Sequence, residues 1–161
     1  MCNNYRTVID KMNEFISWNR NRFYNQVVKN WRPVCTRGYY SVAGPELMVY
    51  GPYISIACSF AYDTGFPHET HEYKTFCYNM KTKKFVTLSE ASGWTNEELH
   101  EIILNADFDD GFNLSKDRQD LSIEEIEGLN FQILKNGKIE ILFSDYVLDR
   151  YSHTYVIERK K

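Results

Sequence analysis

The run "YISIACSFAY", residues 53–62, limits the fold more than any other stretch of the chain. Along it Ile54, Ile56, Cys58 and Phe60 alternate with Tyr53, Ser55, Ala57 and Ser59. A period of two belongs to a β-strand, whose successive side chains point to opposite faces. One face is greasy and the other mild, which predicts a sheet covered on one side. A second strand-like run, "EYKTFCYNM", follows across the loop "DTGFPHETHE". The runs "VCTRGYYSVAG", "ELMVYG" and "KFVTL" have the same β character and are separated by glycine, proline or lysine-rich turns, the pattern of an antiparallel meander. In "MKTKKF" the Lys81, Lys83 and Lys84 charges read as a solvated turn.

Helices flank the meander. Val8, Ile9, Met12, Phe15, Ile16, Phe23, Val27, Val28 and Trp31 fall near an i, i+3, i+4 repeat, predicting a helical first quarter that is bent or split where Asn19 to Arg22 interrupt the stripe and that ends by Pro33. After the meander, Thr95 with Glu98 three residues on has the spacing of a capping box. The helix it opens carries Leu99, Ile102, Ile103 and Ala106 on one face. "SIEEIEG" predicts a short helical turn, and Asn136 with Gly137 predicts a hairpin in the closing strands "NFQILKNGKIEILFSDYVLD" and "SHTYVIERK". The expected architecture is α+β: an antiparallel β-sheet, meander plus C-terminal hairpin, with helices packed on one face.

The chain's 161 residues suit one domain, 1–161, and a content of 43% hydrophobic and 16% aromatic residues supplies its core. A net charge of −3 with no lysine or arginine cluster argues against nucleic acid as a partner, and Trp18 and Trp31 read as packing residues rather than a base-stacking platform. No run approaches the ~18–20 apolar residues of a membrane span, and the first residues lack the pattern of a signal peptide. With Met1 as the native start, a cytoplasmic protein is expected. Cys2, Cys35, Cys58 and Cys77 form no CxxC motif. Buried free thiols are the first expectation, with a Cys58–Cys77 cross-strand bridge as the alternative in an exported protein.

The chemical motifs are thin. His68 and His71 in "HETHE" are spaced i, i+3 behind Pro67, whereas a helical zinc pair needs i, i+4; on a strand the two rings would point apart. Aligning "DFDDGFNLSKD" with a calcium loop through Gly111 places Ala106 and Phe108 where oxygen ligands belong. Asp145, Asp149 and His153 lie near Ser144 and Ser152 without a nucleophile elbow. No metal, cofactor or catalytic residue is therefore assigned.

The order of segments carries a resemblance. Strand, a loop with Tyr62, Thr64, Gly65 and His68, strand, a turn with Lys81, Thr82 and Lys84, and the step Thr87–Leu88 into a helix resemble the central motif of the extracytoplasmic domain of RsiV-type anti-sigma factors, which are lysozyme receptors. The accessory domain of PdaC-type peptidoglycan deacetylases is similar. Phe143 and Tyr146 match the closing-strand pattern, and the resemblance runs from roughly Tyr40 to Ile157. Phe66, Pro67 and Glu69 replace the family's small loop residues, Lys83 stands at its turn glycine, and its export signal and anchor are not seen. The resemblance implies an envelope binding or sensing module without a catalytic centre, recognising another protein or a cell-wall glycan, and an extracytoplasmic location if the chain is a trimmed domain. Tyr62, Phe66, His68 and Glu69 become the candidate contact residues on a hairpin tip shaped by Gly65 and Pro67. The alternative for Tyr62 and Phe66 is that they cap the end of the core. Two other functions stay open: a small acidic cytoplasmic immunity or inhibitor protein, and a hydrolase with a scattered acid/base pair.

Overall fold

The computed structural model describes residues 2–23, 25, 39–63, 69–106, 121–145, 147–148 and 152–160. Trp31, Pro33, Cys35, the loop residues Thr64 to His68, the acidic stretch 107–120, Tyr146 and Asp149 lie outside the described residues. The chain runs α1 (Cys2–Phe23), β1 (Tyr39–Tyr50), β2 (Tyr53–Asp63), β3 (Thr70–Asn79), β4 (Lys84–Phe85), α2 (Leu88–Ser92), α3 (Asn96–Leu104), α4 (Ile123–Glu127), β5 (Asn130–Ile133), β6 (Ile139–Phe143) and β7 (His153–Ile157). It is an α+β fold, with antiparallel pairing throughout a four-stranded sheet β1-β2-β3-β4 and a three-stranded sheet β5-β6-β7.

Local signals place most of these elements. Thr95 caps α3: its hydroxyl accepts from Glu98 N at 3.2 Å, and the Glu98 carboxylate accepts from Thr95 N at 2.9 Å. Thr87 with Glu90 and Ser122 with Glu125 build the same box on α2 and α4. The β5–β6 hairpin turns at Gly137, φ 84, where an added Cβ would lie 2.5 Å from the Tyr50 ring. The segments "VCTRGYYSVAG" and "ELMVYG" are one strand from Tyr39 onward, not two. β1 crosses Gly44 and Pro45 with a register shift between Ala43 and Glu46, and an edge strand tolerates proline at such a bulge.

α1 continues unbroken through Asn19 to Arg22. Val8 and Met12 face the sheet, Ile9 is exposed, and Asn19, which interrupts the apolar stripe, is itself buried. The helix survives there because Asn19 to Arg22 are tolerable helix formers and the sheet supplies the packing.

β2 and β3 are covered on both faces, where the alternation predicted one cover. Val8 and Met12 pack on Ile54, Ile56, Cys58, Phe60 and Tyr78. On the other face Cys77 joins an aliphatic core of Leu88, Leu99, Ile103, Ile126, Ile133, Ile141 and Phe143. The mild residues serve as hydrogen-bonding positions beneath the second sheet. Ser55, 1% exposed, donates to Ile133 O at 3.2 Å and accepts from Ile133 N at 3.1 Å. Thr75 Oγ1 accepts from Phe131 N at 2.9 Å. The outer edge of β3 is closed by side chains: His71 N donates to Asp145 Oδ2 (2.8 Å), Tyr73 N to Ser144 Oγ (2.8 Å) and Thr75 N to Asn130 Oδ1 (3.1 Å). Buried backbone groups are rarely left unpaired, and these contacts satisfy an edge that β4 is too short to cover.

The two-faced packing overturns the cross-strand disulfide. In the β2–β3 register Cys58 lies opposite Lys74, and Cys77 lies opposite Ser55. The two thiols point to different sides of one sheet and are free. Burial pushes the Cys77 thiol up to about 12 and raises that of Cys58.

Candidate functional site

The end of the β2–β3 hairpin is tied to α1. By strand parity Tyr62 follows Phe60 onto the α1 face, and Glu72 lies opposite Phe60 in the register. The Tyr62 hydroxyl donates to Glu72 Oε1 at 2.7 Å. Arg22, in the last turn of α1, donates to both oxygens of the same carboxylate at 3.3 and 3.2 Å. Burial, then the hydrogen bond to Glu72 and its charge, drive the Tyr62 phenol above its ordinary range. Tyr62 is thus half-buried with its hydroxyl engaged.

Of the other candidate contact residues, Glu69 is half-buried with Oε2 3.8 Å from His71 Nε2. Phe66 and His68 fall outside the described residues. The structure therefore brings Tyr62 together with Glu72 and Arg22, and Glu69 with His71. Ser144 and Asp145, which could have entered a triad with His153, are occupied at the β3 edge, and His153 is buried in β7 opposite Phe143. Among the described residues no group of three His, Cys, Asp or Glu side chains is placed to hold a metal ion.

Next to this tie lies a surface feature that the sequence reading missed. Trp18 is 54% exposed, against the expectation of a packing residue. Its ring lies 5.5 Å from Phe15, Phe15 lies 6.3 Å from Phe76, and Phe76 lies 5.9 Å from Phe85, centroid to centroid. The last two contacts are edge-to-face, at 72° and 63°. Phe85 is exposed at the far end of the row. A groove of about 220 Å³ opens between Lys11, Glu14, Phe15, Trp18 and Phe76.

Cations sit on the ring faces. Lys74 Nζ is 5.4 Å from the Phe15 centroid and 5.3 Å from that of Phe76. The Arg22 guanidinium is 5.2 Å from the Trp18 ring. Burial, and then the nearby Lys11, lower the pKa of the Lys74 ammonium. Lys11 pairs with Glu14 at 3.1 Å and Arg22 with Glu72. Lys74 has no carboxylate within 4.0 Å among the described residues. A signal for it was available. Glu72, Lys74, Phe76 and Tyr78 alternate onto the same face as Phe60, which sets a lysine among the apolar residues of that face.

Comparison of the chain with protein-family models and with curated proteins gives no match. Among the described residues no helix is long and apolar enough to cross a membrane.

Proposed function

We propose that this chain is a non-catalytic binding or sensing domain of the RsiV-like type, whose contact surface is the aromatic groove between α1 and β3, beside the β2–β3 tip. The observation that carries the reading is the exposed Trp18 in a continuous row with Phe15, Phe76 and Phe85. Large rigid rings left half open next to charged groups are the residues that dominate binding energy at protein surfaces. Two local features support the family resemblance. Lys83, at the turn position where that family carries glycine, has φ 57 and is the one non-glycine residue with positive φ among those described. Thr87 and Leu88, the matched step into a helix, are the cap and first residue of α2.

Titration with lysozyme and, separately, with soluble peptidoglycan fragments tests the reading, followed by tryptophan fluorescence and calorimetry. One of the two is expected to bind, with the fluorescence change lost in Trp18→Phe. Truncation by Trp18→Ala should weaken that binding about thirtyfold, the scale of a true anchor residue. Absence of binding by both probes removes the envelope reading.

A further inference from the structure

We infer that the α1–β3 groove recognises a protein segment presenting a carboxylate beside an apolar or aromatic side chain, rather than a glycan. The inference rests on the groove being the contact surface and adds the chemistry of its partner.

Three observations point to that chemistry. First, a cation already lies over each ring: Lys74 over Phe15 and Phe76, and Arg22 over Trp18. It competes there with the C–H face of a sugar, and it attracts a partner that brings an anion.

Second, the charge beside the groove is uncompensated at one point. Lys11 and Glu14 line the groove, while Lys74 and Arg22 lie over its rings. Lys11 and Glu14 satisfy each other, and Arg22 is held by Glu72. Lys74 alone lacks a carboxylate among the described residues, and the residue is half-buried. A carboxylate arriving beside it would meet a partly desolvated cation, where attraction is stronger than at an open surface.

Third, the size fits a side chain. About 220 Å³ falls below the roughly 300–1,000 Å³ of small-molecule pockets. It suits one or two anchor residues of a peptide, whose apolar part would rest on Trp18 and Phe76.

The test is selection of random twelve-residue peptides on the full chain, with a parallel selection on Trp18→Ala to remove groove-independent binders. Recovered peptides are expected to carry Asp or Glu within two residues of Phe, Leu or Trp. For the best of them, replacing the acid by its amide should weaken binding at least about tenfold, as loss of one partner of a partly buried charge pair does. In Lys74→Met, acid and amide peptides should bind within about twofold of each other, since the discriminating charge is gone. Equal binding of acid and amide by the unaltered chain overturns the inference, as does recovery of peptides rich in Lys and Arg. If no peptide depends on Trp18 but peptidoglycan fragments do, the partner class is wrong and the binding domain stands. If neither probe depends on Trp18, both fall.

Discussion

The two faces of the β2–β3 ribbon are built from alternate residues of the same twenty-odd positions, yet they are closed in different ways. Beneath the second sheet, Ser55 and Thr75 meet the backbone of Ile133 and Phe131 with directed hydrogen bonds, and the surrounding apolar core is buried. Beneath α1, contact is by rings and aliphatic chains, and one helix covers the ribbon incompletely. Phe15 and Phe76 remain half-buried, Trp18 and Phe85 exposed. Directed bonds to a strand edge admit one register. A helix laid on aromatics leaves a rim, and the rim is where a partner can add itself.

The largest expected effect probes the deep part of the α1 face. Phe60 is 1% exposed and meets Phe15 edge-to-face at 5.7 Å, so Phe60→Ala should destabilise by about 3–5 kcal/mol, the range for a buried phenylalanine. Urea denaturation measures it. A loss below about 2 kcal/mol would place Phe60 with the open rim rather than the core.

Next is Ser55→Ala on the sealed face. It leaves the buried N–H and C=O of Ile133 without the hydroxyl that serves both, and each unsatisfied group costs about 1–3 kcal/mol, so the loss should be at least about 2 kcal/mol. Removing so few atoms would cost far less by packing alone. An unchanged midpoint would mean that the two sheets are held by apolar contact, and the contrast between the faces would disappear.

Smaller again is Thr95→Ala, which removes the cap of α3 on the sealed side and should lower stability by about 1 kcal/mol. An equal loss in Thr95→Ser would show that the methyl group, not the hydroxyl, matters. The smallest effect belongs to the rim: Trp18→Ala should shift stability by no more than about 0.5 kcal/mol, as exposed substitutions usually do. A shift several times larger would mean that the row of rings is structural and that its exposure is incidental to binding.

Much of this architecture could be read locally. The capping box of Thr95 and Glu98, the turn at Asn136 and Gly137 and the alternation from Tyr53 to Tyr62 each act within a few residues, and all three appear in the fold. The box of Thr87 and Glu90 has the same spacing and announces α2. Mild residues on a strand were less legible, because serine and threonine look alike whether they meet water or a buried backbone. The candidate site was harder still. Tyr62 reads from the sequence as either an outward contact or a cap on the core, and its bond to Glu72, which Arg22 holds from 50 positions away, is not visible there. No local pattern joins Trp18 to Lys74, since only the packed helix brings both against Phe15.

By itself, then, the sequence determined most of the elements, their order and the alternation along β2, because propensity, capping, turn chemistry and strand parity are interactions among near neighbours. Only the tertiary structure decided what lies on each side. Ser55 reaches Ile133 across 78 residues, and Lys74 reaches Phe15 only after α1 has docked. Such contacts come from the burial of one element against another, and a pattern confined to one element holds no record of its partner.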